Sequence, residues 1–132
     1  MTVHEMVQTQ PHSLSRDEHA LARWVQECAG CAATCTSCVD ACLAANALEL
    51  MDCIRRSLDC ANMCDAARRI ATRQTATNTE VVRAVITACG AACRACAEAC
   101  ERHADAHDHC RLCADACRRC ERACTGLLAT IT

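Results

Sequence analysis

The 132-residue sequence contains no Phe, no Tyr and no Lys, and its single aromatic residue is Trp24. Hydrophobic residues make up 52 % of the chain, but Ala and Cys supply most of that fraction. A domain of this size ordinarily fills its interior with Leu, Ile, Val and aromatic side chains. Because those residues are scarce here, something else must occupy or line the interior.

Other shortages exclude whole classes of function. The net charge is −2 and both signs are mixed along the chain, which argues against binding to nucleic acid or to an acidic membrane surface. The sequence has no uninterrupted run of 18 apolar residues, so no membrane span is expected. The polar N-terminus lacks the apolar segment of a signal peptide. We therefore expect a cytoplasmic protein with no nucleic-acid or membrane partner.

Cysteine is what the chain has in abundance, with 17 residues spaced mostly three or four apart. The stretch 89–124 alone holds nine, at gaps of four, three and four, then three, four, three and four after a His-rich break. This alternation is the pattern of side chains that face the interior of a helical bundle. Leu, Ile or Val normally fill such positions, and here thiols do.

Four amphipathic segments with this periodicity, joined by short links, predict an all-α fold. The expected architecture is an antiparallel up-down-up-down four-helix bundle with a Cys-lined core. Residues 1–14 are polar, carry the only Pro and are expected to form a flexible arm. Residues 15–132 would form the bundle.

Capping signals set the expected helix starts. The Ser15-Arg16-Asp17-Glu18 segment has the form of a capping box for the first helix. Asn46 is expected to cap the second helix, the Thr77-Asn78-Thr79-Glu80 segment the third, and Asp105 or Asp108 the fourth.

Alternating helix direction makes the two ends of the bundle different. One end should be a closed hydrophobic plug formed by Leu21, Trp24, Ile70, Val82, Ile86, Leu127 and Ile131. The other should be a polar mouth that gathers Asn46, Met51, His103, His107 and His109. His103 continues the spacing of the third helix, so His103 and His107 are candidate inward metal ligands. His109 is expected to face solvent, and Met51 and Met63 to be packing residues.

Buried thiols can form an ordinary core, a disulfide framework or a metal site. So many cysteines would fill a core poorly, and a disulfide framework leaves one of 17 unpaired. Helix neighbours four apart hold their Cβ atoms about 5–6 Å from each other, whereas a disulfide needs about 3.5–4.5 Å. A thiolate–metal–thiolate bridge is longer and fits better. The candidate metal ligands are therefore His103, His107 and Cys28, Cys31, Cys35, Cys38, Cys42, Cys53, Cys60, Cys64, Cys89, Cys93, Cys96, Cys100, Cys110, Cys113, Cys117, Cys120 and Cys124.

Charge favours Cu(I) over Zn²⁺ in this interior. Thiolates select Cu(I), zinc or iron–sulfur clusters. A one-to-one array of Cu(I) and thiolate is neutral, whereas each tetrathiolate zinc site carries −2 and is costly to bury. The expected capacity is near one ion per Cys, on the order of 10–20 per chain when thiolates are shared. The alternatives are a zinc or general thiol-metal buffer of the metallothionein type and, more weakly, a redox protein.

The sequence resembles a known family in its motifs Cys28-AG-Cys31-AAT-Cys35-TS-Cys38-VDA-Cys42, Cys60-ANM-Cys64, Cys89-GAA-Cys93-RA-Cys96-AEA-Cys100 and Cys110-RL-Cys113-ADA-Cys117-RR-Cys120-ERA-Cys124. Over about residues 15–130 it is similar to the cytosolic bacterial copper storage proteins. The resemblance implies storage of many Cu(I) ions, assembly as homotetramers and no catalytic turnover. A copper chaperone or a small thiol would be the donor. Ser57 departs from the fullest thiol lining.

Overall fold

The computed structural model describes residues 3–9 and 18–131. Four long helices pack in a ring: α2 contacts α3 and α5, and α4 contacts the same two helices from the other side. This arrangement confirms the predicted four-helix bundle. The elements in chain order are α1 (Val3–Gln8), α2 (Glu18–Ala45), a 3₁₀ turn (Leu48–Leu50), α3 (Met51–Thr72), α4 (Thr79–Glu101) and α5 (Asp108–Leu128).

Part of the predicted N-terminal arm is helical in the structure. Val3–Gln8 forms the short helix α1, which packs against α2. Val3 is partly buried against the core, and the rings of His4 and His19 meet edge to face with centroids 4.6 Å apart. Pro11 and the predicted capping box at residues 15–17 lie outside the described residues.

One of the predicted caps is confirmed. The Asn78 side-chain oxygen Oδ1 accepts a hydrogen bond from the Val81 backbone N–H at 3.1 Å. This bond satisfies one of the free N–H groups in the first turn of α4. The polar segment between α3 and α4 therefore ends where the sequence indicated.

Two other predicted caps are wrong. Asn46 has a φ of 52° and follows the last residue of α2, so it terminates that helix in the left-handed region instead of starting the next one. The N-cap position of α5 is His107, and neither Asp105 nor Asp108 caps it. Asp108 is instead the first residue of the helix, where its negative charge faces the positive end of the helix dipole.

The interior is lined by cysteine, as the spacing predicted. All 17 cysteines are buried, with at most 2 % of any of them exposed. Ser57 also has no exposed surface and is the one buried polar residue in the described part of the chain. The periodicity therefore placed every thiol on the inner face of its helix.

The predicted plug residues are largely buried. Leu21, Trp24 and Ile86 have no exposed surface, and Val82 and Leu127 expose 4 % and 1 %. Ile131 is half-buried and packs against the core, while Ile70 is half-buried at the edge of a groove between α3 and α4. Large apolar side chains thus fill one end where the thiols stop.

By length and composition, α2 is long and apolar enough to cross a membrane, which is weak evidence because the core helix of a soluble protein passes the same test. Its apolarity comes mainly from Cys and Ala. The residues from Leu21 to Cys42 that point inward are buried against α3 and α5. We therefore describe α2 as a core helix of the bundle.

Truncating the plug should destabilise the bundle far more than truncating the surface of the same helix. Leu127→Ala removes a side chain that is 1 % exposed, and we expect a loss of about 2–5 kcal/mol in the free energy of unfolding. Leu112→Ala, on a side chain that is 54 % exposed, should change it by less than about 0.5 kcal/mol. Urea denaturation of the reduced, metal-free protein measures both, and equal losses would show that the plug is not a packed core.

Candidate metal centre

Thiols from different helices meet in the centre of the bundle. The Cys31 sulfur on α2 lies 3.7 Å from the Cys60 sulfur on α3 and 3.7 Å from the Cys117 sulfur on α5. On α4, the Cys93 sulfur lies 3.7 Å from that of Cys60. Each helix supplies its thiols because the three-and-four spacing keeps them on one face. All four long helices therefore contribute to one continuous set of sulfur atoms.

The distances between neighbouring sulfurs decide what these pairs can do. Within the helices, the Cys31–Cys35, Cys38–Cys42 and Cys60–Cys64 sulfurs are 3.9, 3.9 and 4.0 Å apart. A disulfide bond is about 2.05 Å long, and all 17 cysteines are free thiols in the structure. A metal–thiolate bond is about 2.3 Å long, so one ion spans two sulfurs up to about 4.6 Å apart. The sulfur spacing suits metal bridges.

The thiols form overlapping groups of four. In each group the ligand atoms lie within 4.8 Å of one another. Three of them are Cys28–Cys64–Cys89–Cys120, Cys31–Cys60–Cys64–Cys93 and Cys31–Cys35–Cys60–Cys117, and a fourth is Cys35–Cys96–Cys113–Cys117. Because residues such as Cys31 and Cys60 belong to two groups, the groups cannot be independent tetrathiolate zinc sites. Shared thiolates suit Cu(I), which accepts two or three of them.

Burial keeps two thiols at the polar end, Cys42 and Cys110, protonated at neutral pH. Desolvation raises the pKa of Cys110 to about 12 and also raises the pKa of Cys42, because a buried thiolate loses its hydration. A Cu(I) ion that binds either thiol must therefore displace a proton. The exchange keeps the interior neutral, which is the condition for filling a buried cavity with ions.

The polar end holds a histidine that the sequence analysis assigned to solvent. His109 Nε2 lies 3.3 Å from the Cys42 sulfur. It belongs to a group of four with Cys38, Cys42 and Cys110. His109 is in the first turn of α5, where side chains lean back past the helix N-terminus and over the mouth. Its spacing of four residues from Cys113 was the sequence signal for this position.

The two histidines predicted as ligands lie beside this group. His103 is half-buried just beyond the end of α4, because the helix stops at Glu101 and the turn does not extend the cysteine spacing. His107 occupies the N-cap position of α5, and its ring centroid is 5.3 Å from that of His109. Within residues 3–9 and 18–131, neither side chain has a hydrogen bond to a thiol. Their role as ligands stays a prediction.

The apolar end holds a contact that the sequence analysis missed. The Trp24 indole N–H donates a hydrogen bond to the Cys124 sulfur, with 3.1 Å between Nε1 and Sγ. The sequence pattern placed Trp24 in the hydrophobic plug, but residue spacing carries no information about which atoms meet across helices. The only tryptophan therefore touches the last thiol of the array.

Ser57 breaks the array near its middle. Its hydroxyl oxygen lies 3.4 Å from the Cys96 sulfur, 3.8 Å from that of Cys113 and 4.0 Å from that of Cys100. It thus occupies a thiol position in space as well as in sequence. A hydroxyl is a poor ligand for Cu(I), which prefers thiolates.

Fold and site together define a helical bundle built to hold many soft metal ions in a shared thiolate array. The sequence profile of the copper storage protein family, Csp, matches residues 17–129. The chain belongs to this family, which confirms the resemblance. The family role is storage of copper, and nothing supports the zinc alternative.

Solved structures with the same fold come from Streptomyces lividans. The copper storage protein Ccsp loaded with 10 copper equivalents is 45 % identical, with a TM-score of 0.96 over 98 % of this chain and 100 % of that one. A structure of copper loading to the cytosolic copper storage protein, with five coppers, is 47 % identical, with a TM-score of 0.84 over 86 % and 96 % of the two chains. A Ccsp variant with two histidines replaced by alanine is 45 % identical, with a TM-score of 0.82 over 87 % and 98 %. No curated protein matches the chain.

Replacing Ser57 with Cys should complete the array. The new thiol would lie in a fully buried position among three sulfurs at 3.4–4.0 Å. We expect Ser57→Cys to bind about one more Cu(I) per chain, measured by anaerobic titration, and Ser57→Ala to bind no more than the parent. Ser37→Cys is the matched control, because Ser37 is exposed and its thiol would lie outside the array. An equal gain in Ser37→Cys would contradict the assignment.

Proposed function

We propose that the chain stores Cu(I) in the cytoplasm at about one ion per cysteine, loaded and released at the end that carries His109. The observation that carries the proposal is the overlap of the buried four-thiol groups. Overlap allows one thiolate to bridge two ions, so the array holds many ions in a small volume. The protein then acts as a reservoir with no catalytic turnover.

The proposed ligand set is all 17 cysteines together with histidines at the mouth. His109 is supported directly by its contact with Cys42 at 3.3 Å. An imidazole nitrogen would take up Cu(I) and pass it to Cys42 by ligand exchange. The ion would then move inward from thiolate to thiolate along sulfurs spaced about 4 Å apart.

His103 and His107 are retained as ligands or relays at this mouth. They are the one pair of histidines four residues apart in the sequence. Two histidines at that spacing are replaced by alanine in the Ccsp double variant, which supports a role for the pair. Their half-buried positions beside His109 leave them within reach of an entering ion.

The proposal extends to a donor and to self-association. A copper chaperone or a small thiol would deliver Cu(I), because free copper is not available to a buried array. Several large apolar side chains are exposed, among them Leu48 at 84 %, Leu43 at 62 % and Met51 at 62 %. Contacts between copies of the chain would bury these side chains, and their exposure in the single chain supports assembly as a homotetramer. Light scattering on the purified protein measures the number of chains in the assembly.

The reduced protein should bind copper far beyond the capacity of a single site. We expect anaerobic titration with Cu(I) against a coloured chelator to saturate at on the order of 10–20 ions per chain, with about one proton released per ion. Because the raised pKa values of Cys42 and Cys110 keep these two thiols protonated at pH 7, apparent affinity at the His109 end should rise with pH. Saturation at one or two ions, or equal protection of Zn²⁺, would contradict storage of Cu(I).

Replacing the histidines should slow copper transfer and leave most of the copper capacity in place. His109→Ala deletes the imidazole that contacts Cys42, and the His103→Ala/His107→Ala pair deletes its neighbours. We expect slower loading and release in stopped-flow experiments, with the larger effect for His109→Ala, and capacity changed by about one ion at most. His19→Ala, at the N-terminal end of α2, is the control. Unchanged rates in His109→Ala would argue against a role for that imidazole.

A further inference from the structure

A groove on the outside of the bundle reaches the thiol array at the end opposite His103, His107 and His109. It runs between α4 and α5 with a volume of about 200 Å³, and Cys124 forms part of its wall. The remaining wall includes Gly90, Arg94 and Glu121. A surface cavity therefore lies against Cys124, whose sulfur contacts Trp24.

Gly90 is what leaves Cys124 close to the surface. A Cβ atom at position 90 would lie 3.4 Å from the Cys124 Cβ and 3.9 Å from its sulfur. The absence of that atom keeps a gap between the two helices beside the thiol. Cys124 is 1 % exposed, which equals the exposure of Cys42 at the histidine end. The two ends of the array are thus covered to the same degree.

One cationic side chain at the groove is available to bind an anion. The Glu121 carboxylate shares the Arg118 guanidinium, at 2.9 Å, with the Glu101 carboxylate at 2.7 Å. Arg94 is exposed and, within the described part of the chain, forms no ion pair. Its guanidinium is therefore free to pair with an anion in the groove. Thr87 and Thr125 also line the groove, but their hydroxyls donate to the Arg83 and Glu121 backbone carbonyls of their own helices.

The size of the groove limits what it can hold. Pockets for drug-sized ligands occupy about 300–1,000 Å³, so about 200 Å³ admits a small molecule or the thiol-bearing part of a larger one and excludes a folded protein. Building on the storage function proposed above, we propose that this groove is a second, lateral access route, where a small anionic thiol delivers Cu(I) to Cys124 or removes it.

The transfer is a ligand exchange that needs no oxidant or reductant. The Cys124 sulfur forms a bond to the Cu(I) ion of the carrier complex, and the bond between copper and the carrier sulfur breaks. The proton leaves the Cys124 thiol for the departing carrier thiolate. Copper stays Cu(I) throughout, and total charge is conserved.

Trp24 is a built-in reporter of this event. It is the only tryptophan in the sequence, and its N–H donates to the Cys124 sulfur at 3.1 Å. Copper arriving at Cys124 would change the electron density on the hydrogen-bond acceptor and so change the indole fluorescence. Thiolate-to-copper absorbance reports the whole array at the same time.

The test mixes the reduced, metal-free protein with one equivalent of Cu(I) bound to glutathione, which is anionic. In the parent chain, the Trp24 fluorescence change should accompany the first rise in absorbance. Gly90→Ala places a methyl group over Cys124, so its Trp24 signal should lag severalfold while final copper uptake is unchanged. Gly126→Ala is the matched control, because an added Cβ there has no atom within 4 Å. It should behave as the parent.

A second arm tests the charge. Arg94→Glu should slow the early Trp24 phase about tenfold with the glutathione complex, since charge reversal opposes steering, and should not slow it with the cationic thiol cysteamine. A parent Trp24 signal that lags the absorbance, or equal kinetics in Gly90→Ala and Gly126→Ala, would overturn the lateral route. Either result leaves copper storage intact, because storage is judged by total uptake, which these variants preserve.

Discussion

The spacing of sulfur atoms across the bundle is the constraint on which the structure depends. Neighbouring sulfurs on different helices lie mostly 3.7–4.0 Å apart, which is too far for a disulfide bond of about 2.05 Å and close enough for one ion to bridge. Only small residues at the inner positions let the helices approach to give this spacing. Cysteine and alanine therefore serve both the packing and the chemistry.

A core made of cysteine and alanine stabilises the bundle less than a leucine core would. Large apolar side chains at the ends of the bundle offset part of this lost stability. A buried thiol behaves as a small hydrophobe and buries less apolar surface than leucine would. Trp24, Leu21, Ile86 and Leu127 are fully or almost fully buried at one end. Before α3, the 3₁₀ turn buries Leu50 completely while Leu48 stays 84 % exposed. Large side chains outside the array thus stabilise a bundle whose centre is reserved for ions.

The sequence determined the middle of the fold better than its ends. The cysteine spacing predicted four helices and the burial of every thiol, because a repeat that long fits only one face of a helix. Helix ends depend instead on local backbone geometry. Asn46 therefore proved to be a terminator with a φ of 52°, and His109 turned toward Cys42. Which atoms meet across helices, as for Trp24 and Cys124, was not encoded in spacing at all.

The two ends of the array also differ in how their sulfurs can bind. At the histidine end, His109 places an imidazole nitrogen next to Cys42, which adds a ligand for an incoming ion. At the apolar end, the indole N–H of Trp24 occupies part of the electron density on the Cys124 sulfur, which reduces its capacity to bridge two ions. Cys124 is therefore suited to bind a single ion as a terminal ligand. Such an ion would have fewer bonds to break than one held in the centre, so copper at this end would also be able to exchange with a small thiol.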